Sequence, residues 1–195
     1  MSLKLSLSPF LMREQERMRW LKMVDRAITE ALVKLIGDER RTSMIVVQDM
    51  PGSIGSYRSA MSKKHDRLVY DLYRVKGDRG LEQAKEALHM AGLLLGVEFK
   101  ESLKLSEDPE KTRTALRLFY HIIGIEYVVD DDGTKMKVWR CALSKDYSTL
   151  TCEVISRLTE GIAHGLNSNL SIGFTKRNGK GTPICMAEIV WNDED

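Results

Sequence analysis

Three cysteines (Cys141, Cys152, Cys185) and four histidines (His65, His89, His121, His164) are the side chains here best suited to nucleophilic or metal chemistry. A Cys–His nucleophile needs sulfur and imidazole in contact, with the ring itself held by a third group. His164 follows Cys152 by twelve residues, which places it about a third of a turn around a shared helix. Contact between the two cannot be read from that spacing. No Ser-His-Asp arrangement emerges, so no catalytic residue is assigned. A zinc site requires four ligands, or three and a water. Cys141 and His164 complete such a set with Cys152 and Cys185 only if the fold gathers them. The competing reading is three free thiols packed as small apolar groups.

Aromatic residues offer different chemistry. Phe119, Tyr120, Tyr127, Trp139 and Phe174 fall where a covering helix and a sheet should meet. Such residues line mostly apolar small-molecule pockets that carry a few polar handles. The same residues also serve as ordinary core. The ten methionines suit adaptable packing in either setting.

The elements that must position these groups follow from periodicity. Residues 11–37 form an amphipathic helix, with Trp20, Val24, Ile28, Ala31, Leu32 and Leu35 at helical spacing and Gly37 at its end. Its length also allows a dimer interface. Met44 to Val47 reads as a short strand, and 49–64, with its Pro, Gly and Ser, as a mobile connection or cap. A helix beginning near Arg67 is interrupted at Gly77 and Gly80. Another runs from Leu81 to Leu103, where Ala87, Met90, Leu94 and Val97 widen its apolar stripe. Gly92 and Gly96 lie on one face of it and invite close backbone packing. Pro109 opens a further helix that ends at Ile123.

Strands follow. Ile125–Val129 and Lys135–Cys141 flank Asp130-Asp131-Asp132-Gly133, a hairpin signal. The three aspartates lack the alternation and the downstream Glu of a calcium loop. A helix from about Leu150 to Leu166 comes next, then strands over 170–175 and 183–191, the last expected to be covered on both faces. The order predicts an α+β fold, helices covering a four-stranded antiparallel sheet, in one domain spanning 1–195.

Composition sets limits. The chain has a net charge of +2, with 43% hydrophobic and 30% charged residues. That excludes wholesale disorder and a membrane-embedded body. Near-neutral charge disfavours a nucleic-acid coat. Arg13, Arg17, Arg19, Lys22 and Arg26 are interleaved with Glu14, Glu16 and Asp25, as on a solvated helix face. No run of apolar residues is long enough to span a bilayer. The start, MSLKLSLSPFLM, lacks a clear signal peptide, and an odd number of scattered cysteines fits a reduced, cytoplasmic setting. Neither a GxGxxG nor a Walker pattern is present.

Four segments carry a family resemblance: AGLLLGVEFKE, LRLFYHIIGIEYVV, CEVISRLTEGIAHGL and the closing GKGTPICMAEIVW. Together, across residues 67–191, they resemble the 4-vinyl-reductase-type (hydrocarbon-binding) domain, related to subunits of the TRAPP tethering complex. The resemblance implies a ligand-binding domain for a small apolar or aromatic molecule, often a homodimer. Some sensory relatives hold zinc, and Cys152 and Cys185 fall at matching places. The chain departs from them before the last turn: FTKRNGKG has no cysteine, and Lys176 and Arg177 would repel a cation. The resulting expectation is a regulatory or sensory ligand-binding domain. The alternatives are a thiol- or metal-dependent enzyme using Cys152 or Cys185 with His164 or His121, and a dimeric scaffold.

Overall fold

The computed structural model describes residues 12–37, 52–106, 108–177 and 184–192. The strand expected at 44–47 lies outside them.

Helix α1 spans Glu14–Ile36, and its acidic first turn favours the positive end of the helix dipole. Gly37 closes it at φ 79°, donating its N–H to the Val33 carbonyl. Trp20, Leu21, Val24, Ile28 and Leu32 are buried within the chain's own core. The apolar stripe considered for a dimer is therefore already covered by α2 and its neighbours. Asp25 corrects the solvated-face reading: it is buried on the core side of this helix.

Helix α2 spans Ile54–Ser102, 49 residues in all. Ser53 caps it by accepting from the Ser56 N–H at 3.3 Å. The connection expected over 49–64 is thus helical from Ile54. Its serines and glycine argue for a loop locally, but Tyr57 and Met61 are buried at i, i+4 and hold the turn to the core. Gly77, at φ 60° and ψ −153°, kinks the helix where only glycine is at ease. Gly80 interrupts nothing.

Past the kink, Leu81, Ala84, Leu88 and Leu95 are buried as expected, whereas Met90, Leu94 and Val97 face outward. The glycine face decides this orientation. A Cβ at Gly92 would collide with the Leu158 carbonyl, and one at Gly161 with the His89 carbonyl. Gly96 and Gly165 repeat the arrangement, so two backbones pass at a distance no side chain permits. The partner is α4, Thr149–Leu166, capped by Ser148.

Helix α3 spans Pro109–Ile123, with Asp108 accepting from the Lys111 N–H at 2.9 Å. Strands β1 (Ile125–Val129) and β2 (Lys135–Cys141) form the expected hairpin. Its aspartates serve the turn: Asp130 accepts from the Lys135 N–H and Asp132 from the Thr134 N–H. Strands β3 (Leu170–Lys176) and β4 (Cys185–Trp191) complete an antiparallel sheet ordered β1-β2-β4-β3. The fold is α+β, with helices packed on the sheet.

Among the described residues, one sheet face is covered. Met136, Val138, Ile172 and Ala187 point into the core, while Met186, Glu188 and Val190 are exposed. The expectation that the last strand is covered on both faces is therefore corrected: no helix overlies the outer face among the described residues. No described helix is long and apolar enough to cross a membrane.

Candidate functional site

An apolar cavity of about 70 Å³ lies between the helices and the inner sheet face. Val24 and Ile28 of α1 and Met61 of α2 form one side of it. Cys152, Ile155, Leu158 and Thr159 of α4 form another. The sheet and its junctions add Ile125, Val138, Cys141, Phe174 and Cys185, with Leu143 and Tyr147 from the β2–α4 connection. Each side chain arrives by ordinary periodicity: 24 and 28 share a helix face, as do 152, 155 and 159.

All three cysteines meet at this cavity. Burial pushes the Cys152 thiol up to about 12 and raises that of Cys141 as well. Both thiols stay protonated at neutral pH and act as small apolar wall groups. Neither His121 nor His164 reaches the cavity; His164 instead stands beside His89, ring centres 6.2 Å apart. The Cys–His pairing weighed from the sequence is not assembled.

Zinc fits this donor set poorly. Cys152 and Cys185 do share the cavity, but their neighbours are apolar and the one charged side chain on the wall is the cation Arg177. Among the described residues no three His, Cys, Asp or Glu side chains gather as a metal-binding group.

Of the five aromatic residues expected at a pocket, only Phe174 lines the cavity. Phe119 stacks edge-on with Phe99 at 5.0 Å, beside Trp20, in the helical core. Tyr120 is buried against Tyr127, ring centres 5.3 Å apart. Tyr127, its hydroxyl pushed up to about 12 by burial, borders a separate groove with Arg117 and Trp191. Trp139 is half exposed on the outer sheet face. Alternation from the buried Met136 and Val138 puts it there with Lys135 and Lys137, and a bulge at Trp139, opposite Glu126 and Tyr127, then returns Cys141 to the cavity side.

A buried polar chain that the sequence reading missed ends at the cavity wall. His65 Nε2 lies 2.8 Å from Asp25 Oδ1, and His65 Nδ1 lies 2.9 Å from the Tyr147 hydroxyl. Asp25 also accepts from Tyr57 at 2.8 Å and from Lys64 at 2.8 Å. Burial alone would raise Asp25, but hydrogen bonds from His65 and Lys64 hold it at about 2. Burial also lowers His65, against the pull of Asp25. Lys64 therefore carries the compensating charge, while a neutral imidazole donates to Asp25 and accepts from Tyr147. One sequence signal pointed here: Asp25 shares a helix face with Leu21, Ile28 and Leu32.

A second cluster sits at the β3 end of the cavity. Glu160, nearly fully buried on α4, pairs with Arg157 and, at 3.1 Å, with Arg177. Arg177 Nε donates to Ser156 Oγ at 2.7 Å, and its guanidinium lies 5.7 Å from the Phe174 ring centre.

Compared with known families, curated proteins and solved structures, the chain has no match.

Proposed function

We propose that this chain is a small-molecule-binding domain of the 4-vinyl-reductase/TRAPP type, with a regulatory or sensory role, taking an apolar guest in the central cavity. The observation that carries the reading is the cavity itself. Close-packed interiors rarely keep voids, yet here side chains from α1, α2, α4 and the sheet converge around about 70 Å³. Apolar walls on which burial keeps the Cys141 and Cys152 thiols protonated favour binding over nucleophilic chemistry. The space is about half of the ~150 Å³ that holds benzene in an engineered cavity. An aliphatic group of three or four carbons fits directly, and an aromatic ring needs movement of a flexible wall residue such as Met61.

The test is a thermal-denaturation series with small apolar compounds, such as isopentane-like alcohols and phenol. Ligand at 100-fold its Kd adds about 2.7 kcal/mol, which for this size raises Tm by about 5–11 °C. Val24→Phe or Val138→Phe fills the space and should remove the shift while the fold persists. A shift of equal size in both filled variants overturns the reading.

A homodimer accompanies the proposal. Met90, Leu94 and Val97 are exposed at i, i+4, i+7 on α2, and this apolar stripe is the surface through which two copies would associate.

A further inference from the structure

We infer that the molecule held in this cavity is a monocarboxylate whose short, branched aliphatic tail fills the apolar space and whose carboxylate pairs with Arg177. The inference rests on the ligand-binding reading above and adds the chemical class.

Arg177 is the one charged side chain among those lining the cavity. Its surroundings do not neutralise it. Arg157 and Arg177 both pair with the single carboxylate of Glu160, so two guanidiniums share one negative charge. Glu153, the neighbouring acid on α4, is engaged by Lys85, which also pairs with Glu82. Within the Arg157–Glu160–Arg177 cluster at the cavity rim, two positive charges therefore meet one negative.

The geometry leaves that charge available in a directional form. One side of the Arg177 fork is occupied, Nε–H by Ser156 and one Nη2–H by Glu160. The remaining N–H groups, on Nη1 and the far side of Nη2, have no hydrogen-bond partner among the described residues. Two parallel N–H groups match the two oxygens of a carboxylate. The fork is also held still: Ser156 and Glu160 fix it on one edge and the Phe174 ring supports its face. Partial burial, with the side chain 22% exposed, strengthens the pairing relative to one in bulk water. A neutral guest would leave Arg177 sharing the single Glu160 carboxylate with Arg157.

Size narrows the tail. At about 70 Å³ the cavity takes three or four carbons, and its breadth between α4 and the sheet suits a branched end. Isovalerate is the natural probe, and 3-methylbutan-1-ol is its neutral counterpart of nearly equal shape.

Calorimetric titration of the full chain with both compounds at low ionic strength tests the inference. The acid should bind at least tenfold tighter than the alcohol. Arg177→Met should abolish that preference while leaving the alcohol affinity within about twofold, and Arg177→Lys, which keeps the charge without the fork, should show an intermediate ratio. Equal or tighter binding of the alcohol by the unaltered chain overturns the carboxylate inference and leaves the cavity reading intact. Binding of neither compound overturns both. Should Arg177→Met fail to fold, the ratio in the unaltered chain and in Arg177→Lys decides. A preference retained in Arg177→Met places the anion elsewhere and sinks the assignment.

Discussion

Asp25 and His65 illustrate how a buried polar pair acquires a pH dependence. Both groups have folded-state pKa values below their ordinary ones, 3.8 for the carboxyl and 6.5 for the imidazole. Each then binds fewer protons folded than unfolded, so stability rises with pH across each window. The His65 contribution is fully present above about pH 6.5 and is lost as pH falls below it; that of Asp25 is lost between 3.8 and about 2. Urea midpoints should therefore be level between about pH 7 and 8 and decline from pH 6.5 downward. His65→Gln should shrink that decline without removing it, because burial also lowers His89 and His121. An unchanged slope in His65→Gln would assign the decline to those two rings instead. Asp25→Ala leaves Lys64 and His65 without their shared acceptor and should cost about 3–5 kcal/mol. Cys152 shows the opposite lesson: its type invites chemistry, and its burial withdraws it.

At the level of elements, the α2–α4 contact rests on absent side chains. Gly92 and Gly96 face Gly161 and Gly165, each approaching the partner's backbone. Alanine at Gly161 gains about 1 kcal/mol of helix propensity but must displace a carbonyl that cannot rotate away. Overpacking of this kind costs about 1–3 kcal/mol or more, and it should win. Gly161→Ala should lower Tm by several degrees in thermal denaturation, whereas Gly173→Ala, with nothing within 4 Å of its Cβ, should be near neutral. The spacing of Gly92 and Gly96 predicted close packing, but their partner was not evident. Gly161 and Gly165 repeat that spacing within the helix expected from about Leu150 to Leu166. The start of α2 was misread for a related reason: Ser53, Gly55 and Ser56 speak locally for a loop, and only the burial of Tyr57 and Met61 overrules them.

For the whole molecule, covered and uncovered faces decide how it meets partners. The apolar stripe of α1 is consumed by the core, which leaves the α2 stripe and the outer sheet face, where Val128, Trp139 and Val190 are exposed. If copies associate through α2, Leu94→Asp should shift sedimentation equilibrium toward monomer without lowering Tm, since Leu94 is 65% exposed. A dimer unchanged by that substitution would exclude this face.

By itself the sequence determined α1 with its end at Gly37, the order of elements from Leu81 onward, the helix start at Pro109, the hairpin at Asp130–Gly133, and the α+β class. These follow from periodicity and turn chemistry, which act within a few residues. The tertiary structure alone decided which residues meet: three thiols from two strands and a helix, Asp25 with His65 and Tyr147, Arg177 with Glu160. It also decided that the Trp139 face of the sheet is the outer one and turned Met90 and Leu94 to solvent. Those outcomes depend on the register between strands and the rotation of one helix against another. Both are set by packing across the core between segments far apart in sequence.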